Sequence, residues 1–171
     1  MSLSIGDPVP TFTLPAAGGG EDGLNANLPA VVVFTCNHCP YALAWHDRIL
    51  DVARDVDVPV VLVNPNDSER YPRDSFEAMQ QRVSADGGWP APYLHDEDQS
   101  VARAFGAKTT PDVFVVARDG TLAYRGAPDA DHQDPSQGAA WLRGAVEAVL
   151  ADRQPDPSET KPVGCSVKWK A

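Results

Sequence analysis

An α/β fold, a central mixed sheet flanked by helices, is what this sequence predicts, and three observations predict it. Val31, Val32, Val33 and Phe34 form a continuous apolar run that leads into Cys36 and Cys39, after which apolar residues fall at helical intervals. A second apolar run, 58–63, closes a strand-helix-strand unit whose strands should be parallel and whose crossover should be right-handed. Farther on, the runs 113–116 and 122–124 flank Asp119-Gly120, a hairpin signal that adds antiparallel strands.

Taken in order, residues 11–14 alternate as a short strand, and the glycine-rich stretch 18–23 reads as a flexible turn. Residues 31–35 form the first buried strand. From Pro40, which suits a first helical turn because no N–H is needed there, Ala42, Trp45, Ile49, Val52 and Ala53 mark the inner face of a helix. After the second strand, 64–68 is a loop, 75–83 a helix ending in 85–90, 93–94 a short strand and 98–105 another helix. Thr109, Thr110 and Pro111 precede the hairpin, and 139–150 is the last helix. In the Pro-rich remainder, Val163, Cys165, Val167 and Trp169 alternate, the pattern of an extended segment that buries every second side chain. We therefore expect one domain over 1–153 and a docked tail over 154–171.

Composition agrees with one domain. A chain of 171 residues with 43% hydrophobic content fills one substantial core. No window holds the run of about 18 apolar residues that a membrane span needs, and the first residues lack a basic and an apolar signal region, so a cytoplasmic location is expected. The net charge of −10 argues against nucleic acid as a partner, which clustered Lys and Arg would bind. Asp outnumbers Glu 18 to 6 and Arg outnumbers Lys 10 to 4, a balance that fits either a high-salt surface or biased codon usage.

The chemistry concentrates at Cys36-Asn37-His38-Cys39. Two thiols delivered by a strand to a helix start meet unpaired N–H groups and the positive end of the helix dipole, which favour a thiolate. This field is expected to make Cys36 the more acidic and exposed thiol, with His38 tuning it further. With three cysteines in all, a close pair is catalytic or metal-binding before it is structural.

The order of elements resembles the thioredoxin-like redoxin superfamily, in its alkyl hydroperoxide reductase/thiol-specific antioxidant-like branch, with an N-terminal extension and an insertion before Thr110-Pro111. Three separated motifs carry the resemblance: Cys36-Asn37-His38-Cys39-Pro40, Thr110-Pro111-Asp112, and the ending Gly164-Cys165-Ser166-Val167-Lys168-Trp169. It implies a thiol–disulfide oxidoreductase in which Cys36 attacks and Cys39 resolves. It further implies that Pro111 is cis, a minority state of about 5–6% of X-Pro bonds in folded proteins, and that Thr110 pairs with a bound peptide. Partners would be a protein or small-molecule disulfide, or a peroxide, together with a thiol electron donor. No cofactor is implied, since the dithiol carries the electrons.

Two departures from the pattern stand out. Thr35 occupies the position where thioredoxins place Trp, and Ala30 the position of a buried acid that helps the second thiol. Peroxiredoxin-like thiol peroxidase chemistry is the alternative, although the Thr that peroxiredoxins place three residues before their reactive Cys is here Cys36 itself. A copper(I)-delivery protein of the same fold is a second alternative, because Cu(I) accepts two thiolates. Structural zinc would need four ligands, and no metal is expected. Cys165 reads either as a buried anchor of the tail or as a third redox thiol. Trp45 is expected in the core, His46 as a packing residue, and His95 and His132 as solvated loop residues.

Overall fold

The computed structural model describes residues 2–171; Met1 lies outside the described residues. The strands are β1 (Phe12–Pro15), β2 (Glu21–Leu24), β3 (Ala30–Phe34), β4 (Val60–Asn64), β5 (Tyr93–His95), β6 (Thr109–Thr110), β7 (Asp112–Val116), β8 (Leu122–Gly126) and β9 (Cys165–Ser166). The helices are α1 (Pro40–Asp55), α2 (Phe76–Ala85), α3 (Ser100–Phe105) and α4 (Ala140–Leu150). Five strands form the central sheet in the order β5-β4-β3-β7-β8. Strand β3 runs parallel to β4, with Val33 beside Leu62, and antiparallel to β7, with Val32 beside Phe114. The sheet is therefore mixed.

Both faces are covered, which is why β3 and β4 read as unbroken apolar runs. Val31, Val33, Leu62, Val113 and Val115 face a layer that includes Trp45 and Ile49 of α1, Met79 of α2 and Leu142 and Val146 of α4. Val32, Phe34, Val63 and Phe114 face Val101 and Phe105 of α3, with Phe12 and Leu24 of the β1-β2 hairpin alongside. Phe34, Phe105 and Phe114 meet edge to face, with ring centroids 5.2–5.6 Å apart. Leu62 is fully buried at the centre of the sheet. Leu62→Ala should cost about 2–5 kcal/mol from the lost transfer energy and the cavity left behind, read as a lower urea midpoint with unchanged slope. A loss under about 1 kcal/mol would show that the layers collapse freely around the site.

Several expectations are corrected. Glu21, Asp22 and Gly23 are not a loose turn but strand β2, paired with β1; its polar residues are exposed, so no apolar alternation marked it. Helix α3 begins at Ser100 rather than 98, because Gln99 takes a left-handed backbone (φ 65°). His95 is not solvated: it ends β5 at 6% exposure, stacks on Phe76 of α2, and burial lowers its pKa. Trp45 is in the core, where its Nε1–H donates to Asp129 at 2.8 Å. His46 packs on Trp89, and burial, with the charge of Arg82, pushes it down to about 4.

Candidate active site

The two thiols lie where β3 gives way to α1. Thr35 N–H continues the parallel ladder by donating to Val63 O at 2.8 Å, and the chain then turns so that Pro40 occupies the first helical position. The N-cap of α1 is therefore Cys39, whose carbonyl accepts from Leu43 N–H at 2.9 Å. This placement overturns the expectation that Cys36 receives most of the helix field. Backbone N–H groups of Ala42 and Cys165 point at the Cys39 sulfur, whereas Cys36 receives one, from His38.

Neither thiol is exposed: Cys36 and Cys39 are each 1% accessible. Their side chains pack together with Ala42, and one negative charge is best seated on Cys39. The Cys36 thiol lowers the Cys39 pKa most, by donating to its sulfur, and the Cys165 side chain and the two N–H groups add to this against burial. The Cys36 thiol is correspondingly raised, by that hydrogen bond, by burial and by the nearby charge of Asp74. One contact runs the other way: the Thr110 carbonyl lies 3.2 Å from Cys39 Sγ and accepts its proton whenever Cys39 is a thiol. The four donors around Cys39 outweigh that single acceptor, and Cys36 has an acid beside it where Cys39 has none.

Thr110 and Pro111 do face the dithiol. The Thr110-Pro111 bond is cis, and the Thr110 hydroxyl lies 3.3 Å from Cys36 Sγ. The backbone that was to pair with a bound peptide is already paired. Strand β9 lies antiparallel to β6, with Cys165 beside Thr110 and Ser166 beside Thr109. The fit is close: a Cβ on Gly164 would stand 2.3 Å from Thr110 O, so the residue before Cys165 must be glycine.

His38 lies beside the dithiol, with a ring nitrogen within 4.8 Å of Cys36 Sγ. Its Nδ1 stands 2.5 Å from the Asp74 carboxylate, and its ring stacks on Tyr71. Its backbone N–H also points at the Cys36 sulfur. Asp74, fully buried, also accepts from Asn37 N–H at 2.7 Å and from the side chains of Asn64 and Asn66 at 3.1 and 3.0 Å. The acid missing at Ala30 is thus supplied to the dithiol from another segment, on the Cys36 side.

Arg82 completes the loop by donating to Asn37 Oδ1 at 2.9 Å and Cys36 O at 3.3 Å. The Tyr93 hydroxyl donates to the same Asn37 oxygen at 2.8 Å. Cys36, His38 and Asp74 each offer one ligand atom, all within 4.8 Å of one another. This sulfur, nitrogen and oxygen set is the place where the loop could hold a borderline metal ion.

The comparisons with known proteins agree with this architecture. The structure of a hypothetical protein from Sinorhizobium meliloti matches with 34% identity and a TM-score of 0.89, covering 100% of this chain and 97% of that one. An uncharacterized conserved protein from Geobacillus kaustophilus matches with 34% identity and a TM-score of 0.88, over 98% and 93% of the two chains. Peroxidoxin BcpB from Mycobacterium tuberculosis shares the fold, with 20% identity, a TM-score of 0.64 and coverage of 88% and 99%. No curated protein matches. The family model described as AhpC/TSA matches residues 5–125, the stretch that carries the dithiol, Thr110-Pro111 and the central sheet up to Arg125 of β8. The chain belongs to the AhpC/TSA family, within the thioredoxin-like redoxin superfamily.

Proposed function

We propose that the protein is a thiol–disulfide oxidoreductase that cycles Cys36 and Cys39 between dithiol and disulfide. The observation that carries this reading is the packing of the two thiols in one buried cluster at the start of α1, with the Thr110 turn 3.3 Å from Cys36 Sγ and 3.2 Å from Cys39 Sγ. A thiolate seated beside a second thiol is the arrangement that closes a disulfide and reopens it by exchange. Mild oxidation followed by peptide mapping should find a Cys36–Cys39 disulfide that dithiothreitol reverses. Oxidised protein in which both thiols still alkylate would end this reading.

One observation favours a second reading, peroxide reduction at the dithiol. The hydroxyl that peroxiredoxins take from a Thr three residues upstream is here provided by Thr110, 3.3 Å from Cys36 Sγ. In that reaction the Cys39 thiolate attacks a peroxide oxygen, water or alcohol leaves, and the Cys36 thiol condenses with the sulfenic acid to give the same disulfide and a second water. Turnover with peroxide and a thiol donor that exceeds turnover with disulfides by ten-fold or more would favour the peroxidase. Metal delivery through the Cys36, His38 and Asp74 set is tested separately, by stoichiometric metal in protein purified without added metal.

A further inference from the structure

We infer that Cys165 is the thiol that meets small disulfides, and that it passes oxidation inward through Cys39 to Cys36. This rests on the proposed dithiol cycle and adds to it a route and a substrate class. Three observations carry it.

The first is access. Exchange requires the attacking sulfur to approach along the S–S axis of its target, and Cys36 and Cys39 are both sealed, whereas Cys165 is partly exposed. The second is adjacency. Cys165 packs on the cluster of Cys36, Cys39 and Ala42, and it lies beside Thr110, whose carbonyl is 3.2 Å from Cys39 Sγ.

The third is that the tail is fixed. Lys168 N–H donates to Asn66 Oδ1 at 2.9 Å, Lys168 O accepts from Asp67 N–H and from Gln99 Nε2, both at 2.8 Å, and Lys170 N–H donates to Gln99 Oε1 at 2.9 Å. Arg103 lies 4.7 Å over the Trp169 ring, and Val167 is 3% exposed. These contacts keep Cys165 at the dithiol and fill the β6 edge with the chain's own strand, so an extended polypeptide has no free backbone to pair with there. A disulfide between small groups needs only the one accessible sulfur.

The steps balance. Cys165 gives its proton to the Cys39 thiolate as it attacks a small disulfide RSSR, forming Cys165–S–S–R and releasing RS⁻, which leaves as RSH with that proton. Cys39 thiolate then attacks the Cys165 sulfur, forming Cys39–Cys165 and releasing a second RS⁻. Cys36 thiolate attacks Cys39, forming Cys36–Cys39 and returning Cys165 as thiolate; the proton from Cys36 goes to the second RS⁻. In sum RSSR becomes two RSH and the dithiol becomes a disulfide, and the reverse sequence lets small thiols reduce the protein.

The test uses dithiobis(nitrobenzoate), an aromatic disulfide whose released thiolate is coloured, on the full chain and its Cys→Ser variants, each checked for folding by circular dichroism. With one equivalent of the aromatic disulfide per chain, wild type should release two thiolates and end with Cys36–Cys39 closed. C36S should release two and end with a trapped Cys39–Cys165 disulfide, and C39S should retain the aromatic group on Cys165. C165S should release thiolate about ten-fold or more slowly, although the dithiol is intact. Insulin disulfides should be reduced far more slowly than the small one. C165S keeping pace with wild type, an adduct on Cys36 in C39S, no Cys39–Cys165 bond in C36S, or insulin turned over as fast as the aromatic disulfide would each overturn the relay. If wild type still closes Cys36–Cys39 in those cases, the oxidoreductase reading survives without it. Wild type that never closes Cys36–Cys39 refutes that reading itself.

Discussion

Asp74→Ala is expected to lower stability by about 3–5 kcal/mol and to loosen the tail in the same step. The carboxylate is completely buried and accepts from Asn37 N–H, Asn64 Nδ2 and Asn66 Nδ2, with His38 Nδ1 in contact as well. Each buried donor left without a partner costs about 1–3 kcal/mol, and the losses overlap because the groups share one site. For a domain of this size the melting temperature should fall by roughly 10 °C. The effect reaches the tail because Asn66, held by Asp74 through its amide, accepts from Lys168 N–H with its other side-chain atom. Limited proteolysis should then cut the chain beyond 153 first. A melting temperature within about 2 °C of wild type would show that Asp74 organises neither the loop nor the tail.

Asp74 is also the clearest case of what the sequence does not disclose. The strands β3, β4 and β7 are legible because burial on both faces writes an unbroken apolar run, and α1 is legible because its inner face repeats at Ala42, Trp45, Ile49 and Val52. Cys36, Cys39 and Thr110-Pro111 are legible because their chemistry has a local motif. Asp74, Asn64, Asn66 and Gln99 have none. Each sits in a polar loop or at an element end, and each acquires its role only when the fold brings a partner from 29 or more residues away, as Asn64 does with Tyr93, Gln99 with Lys168 and Asn66 with the same Lys168. The one local hint is the polar stretch Asn64 to Ser68 directly after a fully buried strand, a place where backbone and side-chain polar groups must find partners inside the molecule. Which of the two thiols receives most of the helix field is not legible for a related reason. A C-x-x-C places one sulfur at the N-cap and the other a turn before it, and which one is the cap depends on where the helix starts, a boundary that spacing alone does not fix.

Cys39→Ser should abolish internal disulfide formation, whereas Cys36→Ser and Cys165→Ser each leave one pair that can close. The asymmetry follows from position: Cys39 is hydrogen-bonded to both other thiols, while Cys36 has Cys39 and Thr110 as its side-chain partners. Turnover with a small disulfide and dithiothreitol should fall by about a thousand-fold or more in C39S. The charge on Cys39 adds a pH signature. Because its pKa is lowered chiefly by the hydrogen bond from Cys36, the thiolate persists as pH falls from about 8 to about 6, and the rate of Cys39–Cys165 closure should stay nearly level there. Cys36→Ala removes that donor, raises the Cys39 pKa and should restore the fall of about ten-fold per pH unit expected of an ordinary thiol. Cys36→Ser keeps an O–H donor in the same place and should keep the level profile. Both variants lack the Cys36–Cys39 disulfide, so a difference between their profiles isolates the hydrogen bond from the lost redox partner. Coincident profiles in C36A and C36S would mean that the helix start and the backbone N–H groups of Ala42 and Cys165 hold the charge on Cys39 without help from Cys36.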